Sequence, residues 1–144
     1  MSSHVENVMH NGRILAIIIR SQAITELEKS GKNMLFATPN EFPFQVGIHH
    51  RKKNETIAAH FHLPFTELTN FPVQEFFHVI SGRVKIDLYD DSHADAKVSE
   101  VIVAAGDSII LNTGHGFTFL DDAKMVELKQ GPYRGKEQEK RFVQ

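Results

Sequence analysis

Residues 75–89 read Glu-Phe-Phe-His-Val-Ile-Ser-Gly-Arg-Val-Lys-Ile-Asp-Leu-Tyr, and this stretch decides the fold class. Residues 76–80 form a short apolar run, and Ser81-Gly82 supplies a turn. Beyond the turn the period is two: Val84, Ile86 and Leu88 share one face while Arg83, Lys85 and Asp87 share the other. That alternation describes a strand with one side in the core and one in water. Toward the C-terminus the rhythm repeats. Residues 90–96 read as a hairpin loop, and residues 98–104, 108–111, 117–120 and 125–129 read as further short strands. Toward the N-terminus, residues 44–50 and the stretch carrying Thr56, Ala58, His60 and His62 are also read as extended. A series of this kind predicts an all-β domain, a sandwich or closed barrel of antiparallel strands.

The first 43 residues form an extension before that series. Asn11-Gly12 reads as a turn after a polar start. Residues 13–20 (Arg-Ile-Leu-Ala-Ile-Ile-Ile-Arg) read as a buried strand. Residues 22–30 read as a short helix with Ile24 and Leu27 on one side and Gly31 placed to end it. Residues 131–144 carry Arg134, Lys136, Glu137, Glu139, Lys140 and Arg141 and read as a solvated, charged tail. No repeat or internal linker interrupts the chain, so one domain is expected: extension 1–43, barrel 44–130, tail 131–144.

Composition narrows the function classes. The 144 residues are 41% hydrophobic, enough to bury a core. Sixteen Lys and Arg against eighteen Asp and Glu give a formal charge of −2, which offers nothing to a phosphate backbone or an anionic bilayer. Nucleic-acid and membrane partners are not expected. The apolar run at residues 14–19 is too short to span a bilayer, and the protein is expected to be cytoplasmic. There is no cysteine, which removes disulfides, thiol catalysis and thiolate metal sites. Nine histidines in so short a chain direct attention to imidazole chemistry.

Four residues carry the chemical signal. His60 and His62, as His-x-His on a strand, would present both rings on one face. Glu75 opens the strand 75–80, and His115 follows the turn Asn112-Thr113-Gly114. Three imidazoles and a carboxylate suit a divalent transition metal: Fe, Mn, Ni or Zn. On an octahedral ion they leave two positions open to a small-molecule ligand. An isolated His-x-His pair is more simply a solvated strand face. Here, however, it is followed by Glu-x6-Gly (Glu75, Gly82) and then by Gly-x5-Asn-x-Gly-His (Gly106, Asn112, Gly114, His115).

This order resembles the cupin superfamily over residues 44–130. The resemblance implies a cupin-type double-stranded β-helix, a jelly-roll barrel, here with a short N-terminal strand and helix extension. It also implies a metal held by His60, His62, Glu75 and His115, with Gly82 and Gly106 as the turn glycines between the two motifs. The sequence departs from the family in two places. Twelve residues, 63–74, separate His62 from Glu75 and are read as a long loop with Pro64 and Pro72. The second motif is shortened, with Asn112 in place of its proline and Gly114 directly before His115. Together with Lys129-Gln130-Gly131-Pro132-Tyr133, this short turn is similar to that of a small single-domain subgroup.

The implied function is a metal-dependent enzyme acting on a small oxygen-rich metabolite, a hydroxy or keto acid or a sugar. Isomerase, lyase and oxygenase chemistry all remain open, and no further catalytic residue is singled out. The alternative is a non-catalytic binding module for a sugar or other small metabolite. His78 has the opposite parity to Glu75 and should face away from the interior. His49 and His50 fall on opposite faces and cannot act as a pair, and His4, His10 and His93 lie in polar segments. Gln45 and Tyr133 are within conceivable reach of a ligand. The strand at residues 14–19 is too apolar for an exposed edge and should be covered, by the partner subunit in a homodimer.

Overall fold

The computed structural model describes residues 4–60, 62–63, 71–90, 94–131 and 134–143, with the backbone alone at 136 and 139. His93, Tyr133 and most of the expected 63–74 loop lie outside the described residues. The elements in chain order are β1 (Val5–His10), β2 (Arg13–Ile19), α1 (Ala23–Lys29), β3 (Met34–Phe36), β4 (Gly47–His49), β5 (Glu75–Ser81), β6 (Arg83–Asp90), β7 (Ala96–Ala104), β8 (Ser108–Leu111), β9 (Gly114–Phe119), β10 (Lys124–Lys129) and α2 (Lys136–Glu139).

Three antiparallel sheets result: β1-β2-β8-β5-β10, β7-β6-β9, and the small pair β3-β4. The first two share one core. Val84, Ile86 and Leu88 of β6 are fully buried, as their period-two spacing predicts, and meet Phe77 and Val79 of β5 and Ile109 and Leu111 of β8. The chain passes from one sheet to the other at β5–β6 and again at β7–β8. At these corners stand Gly82 (φ +84°) and Gly106 (φ +85°), both in the left-handed region that glycine alone enters freely. A Cβ at Gly82 would also strike the backbone carbonyl of Asp122.

β2 is covered from within the chain. Ile17 and Ile19 face a second apolar cluster with Val5 and Ala23, against which Leu35, Phe42 and Ile48 pack. The opposite face enters the main core. An irregularity in the β1–β2 register passes Leu15 over, so that Leu15 and Ala16 both reach that core. The burial that this strand requires therefore needs no second subunit. α1 falls where it is expected, between Gln22 and Ser30, but buries Ala23 and Leu27, one helical turn apart, and leaves Ile24 39% exposed.

The expected closed barrel is not seen. Among the described residues no strand pairs with the outer edge of β9 or of β10. The strand expected over residues 56–62 is not seen among its described residues either: residues 56–60 and 62 are exposed and lie outside any strand. A strand has no hydrogen bonds of its own, and alternation cannot create one without a ladder partner. Conversely β1, read only as a polar start, is a strand paired to β2 through the Asn11-Gly12 turn, whose two residues both have positive φ as a tight hairpin turn requires. No helix among the described residues is long and apolar enough to cross a membrane.

Candidate functional site

Glu75 and His115 are set in place by a group of amide side chains. Gln74, fully buried, accepts a hydrogen bond from the Phe44 backbone N–H (3.2 Å) and donates Nε2 to Asn112 Oδ1 (2.9 Å). Its backbone N–H donates to Gln130 Oε1 (2.9 Å), which ties the start of β5 to the end of β10. Asn112 in turn donates Nδ2 to the Ile14 carbonyl (3.0 Å), and the Thr113 hydroxyl donates to the Tyr89 carbonyl (2.5 Å). The β8–β9 corner is thus fixed to β2, β5 and β6 at once. Glu75, one residue past Gln74, leaves one sheet, and His115, two residues past Thr113, leaves the other.

The two side chains meet. His115 Nε2 lies 2.7 Å from Glu75 Oε2, with the side chains 21% and 14% exposed. The other ring nitrogen, Nδ1, is 2.8 Å from the Thr113 carbonyl, which can only accept, so Nδ1 carries a proton. With Nδ1–H so committed, Nε2 faces the carboxylate either as a second N–H donor or through a shared cation. Burial pulls the His115 pKa down, but the bonds to Glu75 and to Thr113 and the Glu75 charge together outweigh it and hold the imidazole above its ordinary 6.5. The same hydrogen bond holds the Glu75 carboxyl below its ordinary 4.5, against the opposing effect of burial. Beneath the pair the walls are apolar: Phe117 meets His115 edge-on at 5.4 Å and Phe77 at 5.0 Å.

The pair opens onto a cavity of about 670 Å³ whose walls include Val73, Phe77, Phe117, Phe119 and Met125. The C-terminal segment lines it as well. Arg134, Lys140, Arg141, Phe142 and Val143 all line it, so the charged tail is not simply a solvated end. Arg141 is anchored by a two-pronged ion pair to Asp95 (2.6 and 2.8 Å). Nothing local in the sequence signals this, because the partners lie far apart in the chain.

The remaining predicted residues are dispersed. His60 and His62 are exposed and stack edge-on at 5.0 Å, away from Glu75 and His115. Among the described residues no three His, Asp or Glu side chains gather within reach of one ion. His78 faces away from the interior, as its parity predicts, and bonds Ser108 Oγ at 2.8 Å. His10 is not merely solvated: its Nε2 lies 3.4 Å from the buried Asp90. His4 and His50 sit beside Glu26 and Glu28, and Gln45 bonds the carbonyls of Pro39 and Phe42.

The residues present suit a divalent ion on two counts. Two neighbouring ligands of one ion, each bonded at ~2.1 Å and at right angles, stand ~3 Å apart, close to the Glu75–His115 separation. His115 and His60 both commit Nδ1 to a backbone carbonyl (Thr113 and Ala58, 2.8 Å each) and so present Nε2, the orientation typical of ligating histidines. No family model, no curated protein and no solved structure matches this chain.

Proposed function

We propose that this chain is a metal-binding jelly-roll protein of the cupin type. His60, His62, Glu75 and His115 would hold one divalent ion, Fe, Mn, Ni or Zn, beside a cavity that takes a small oxygen-rich metabolite. The observation that carries this reading is the meeting of Glu75 and His115 across two sheets, in the lining of a cavity of about 670 Å³. The outer edge of β9, which pairs with no strand among the described residues, would offer a ladder to the segment that carries His60 and His62, and pairing there would bring the His-x-His motif to the sheet that carries His115. A bound ion would act as a Lewis acid on a carbonyl or hydroxyl oxygen of the ligand, which serves isomerase or lyase chemistry and, with iron, oxygenase chemistry. Thr113 keeps the imidazole in one tautomer, while Phe77 and Phe117 keep water from the inner side of the pair.

A second reading, a non-catalytic binding module, is favoured by one feature. The Glu75–His115 pair satisfies its own charges and needs no ion to persist. Elemental analysis of protein purified without an affinity resin separates the two. Stoichiometric transition metal in the parent, lost in Glu75→Gln and His62→Ala, supports the proposed centre. Hydrogen exchange provides a second readout: adding the metal should slow exchange over residues 55–63. A parent that binds no metal, or a His62→Ala variant that keeps it, refutes the four-residue centre.

A further inference from the structure

The cavity is unevenly equipped for the ligands that the proposed function leaves open. Among its described lining residues the neutral polar side chains are Tyr89 and Gln130, which offer few partners to the many hydroxyls of a sugar. The charged ones are more numerous: Lys129, Arg134, Lys140 and Arg141 against Glu75, Asp95 and Glu127. Glu75 is engaged by His115 and Asp95 by Arg141. Glu127 and Lys140 make no ion pair or hydrogen bond with any described residue, and Lys140 is the cation of the two. Lys140 sits close enough for its charge to act on both Glu75 and His115. The lining also holds a set of rings and a thioether (Phe77, Phe117, Phe119, Met125) with no polar group to offer.

We infer that the ligand of this cavity is an organic acid with an apolar body, and that Lys140 reads its carboxylate. The inference rests on the reading of this cavity as the ligand site and is independent of the ion. An acid of this shape places its hydrocarbon part on the aromatic wall and its charge under the C-terminal segment, which the Arg141–Asp95 pair holds in place. A neutral ligand of the same shape gains only the first of these contacts.

The experiment uses the full chain and two probes of nearly equal size, 4-fluorophenylacetate and the neutral 4-fluorophenylacetamide, titrated by fluorine NMR. The acid should bind about fivefold more tightly than the amide, the upper range for a partly solvated charge pair. Lys140→Gln should abolish that preference and Lys140→Glu should reverse it; both changes are at an exposed position and leave the core untouched. Equal affinities in the parent, a preference that survives Lys140→Glu, or binding of neither probe overturns the inference. Metal content measured on the same preparations keeps the two readings apart. Acid preference without metal sinks the ion centre alone, and metal without acid preference sinks this inference alone.

Discussion

Replacing Glu75 with Gln in metal-free protein isolates the contact on which the site depends. The carboxylate and the His115 ring are 2.7 Å apart and mostly buried, so the bond between them is charge-assisted. Such bonds contribute about 1.5–3 kcal/mol, reduced here to ~1–2 kcal/mol because the cavity admits water to one side. The contribution depends on pH in a defined sense. The His115 pKa is raised, so its share is complete below 6.5 and is lost as pH climbs through the raised value. The Glu75 pKa is lowered, so its share is complete above 4.5 and is lost as pH falls through the lowered value. Both shares are whole only between 4.5 and 6.5. Midway through that window Glu75→Gln should lower the melting temperature by about 3–8 °C for a domain of this size. Well above the window the parent's ring is neutral, with Nδ1–H on Thr113 and the Nε2 lone pair facing a carboxylate. There the Gln amide can donate to Nε2, and the variant should match or exceed the parent. Thermal unfolding in a chelating buffer at both pH values is the assay. An equal loss at both would mean that no imidazolium–carboxylate bond exists and that the raised His115 pKa is wrong.

Asn112→Ala should cost about 2–4 kcal/mol in urea unfolding, because it strands Gln74 Nε2 and the Ile14 carbonyl in the interior; a change below half of that would show that water replaces the amide. Gly82→Ala should destabilise by about 1–3 kcal/mol through its left-handed backbone, and by more through the collision with the Asp122 carbonyl. Gly135→Ala is the control, with a similar φ of +92° and open space around it, and a Gly82 loss no larger than the Gly135 loss would discount the collision. Asp95→Asn removes the anchor of Arg141 and should speed tryptic cleavage after Lys140 several-fold, read by mass spectrometry. Unchanged cleavage would mean that the ion pair does not hold the C-terminal segment over the cavity.

Much of the β architecture was legible because one-sided burial leaves a period-two trace. The buried triad Val84, Ile86 and Leu88 and the strand Ser108–Leu111 are where alternation and turn residues place them. α1 was legible from its flanking residues, though not its buried face, since Ile24 is as apolar as Leu27 and only the way the helix packs distinguishes them. β1 was missed although its signal was present: Asn11-Gly12 is a strong hairpin marker, and a hairpin needs a strand on both sides. At the site, parity oriented His78 relative to Glu75 correctly. Alternation at residues 56–62 could not supply a ladder partner. Asn112 reads in the sequence as a departure from a motif, yet in the fold it is the tie between Ile14 and Gln74. That tie, like Arg141 on Asp95, joins segments whose proximity no local pattern encodes.

Why an ion pair stands at this point of the fold is itself informative. Glu75 continues the inward face of β5 above Phe77 and Val79, and His115 continues that of β9 above Phe117 and Phe119. Phe77 and Val79 below Glu75, and Phe117 and Phe119 below His115, are apolar, and a leucine in place of either member of the pair would extend the column without desolvating a charge. Replacing partly buried ion pairs by well-packed hydrophobic side chains is commonly neutral or stabilising, so stability alone gives no reason for a carboxylate and an imidazole here. The fold nevertheless devotes Gln74, Asn112, Thr113 and Gln130 to fixing the residues on either side of the pair. Buried amides carry a desolvation cost and are tolerated when they hold something in place. What they hold is a titratable pair facing a cavity, with the ring tautomer set from behind. That combination suits a group that must bind or exchange a proton better than it suits one that only braces two sheets.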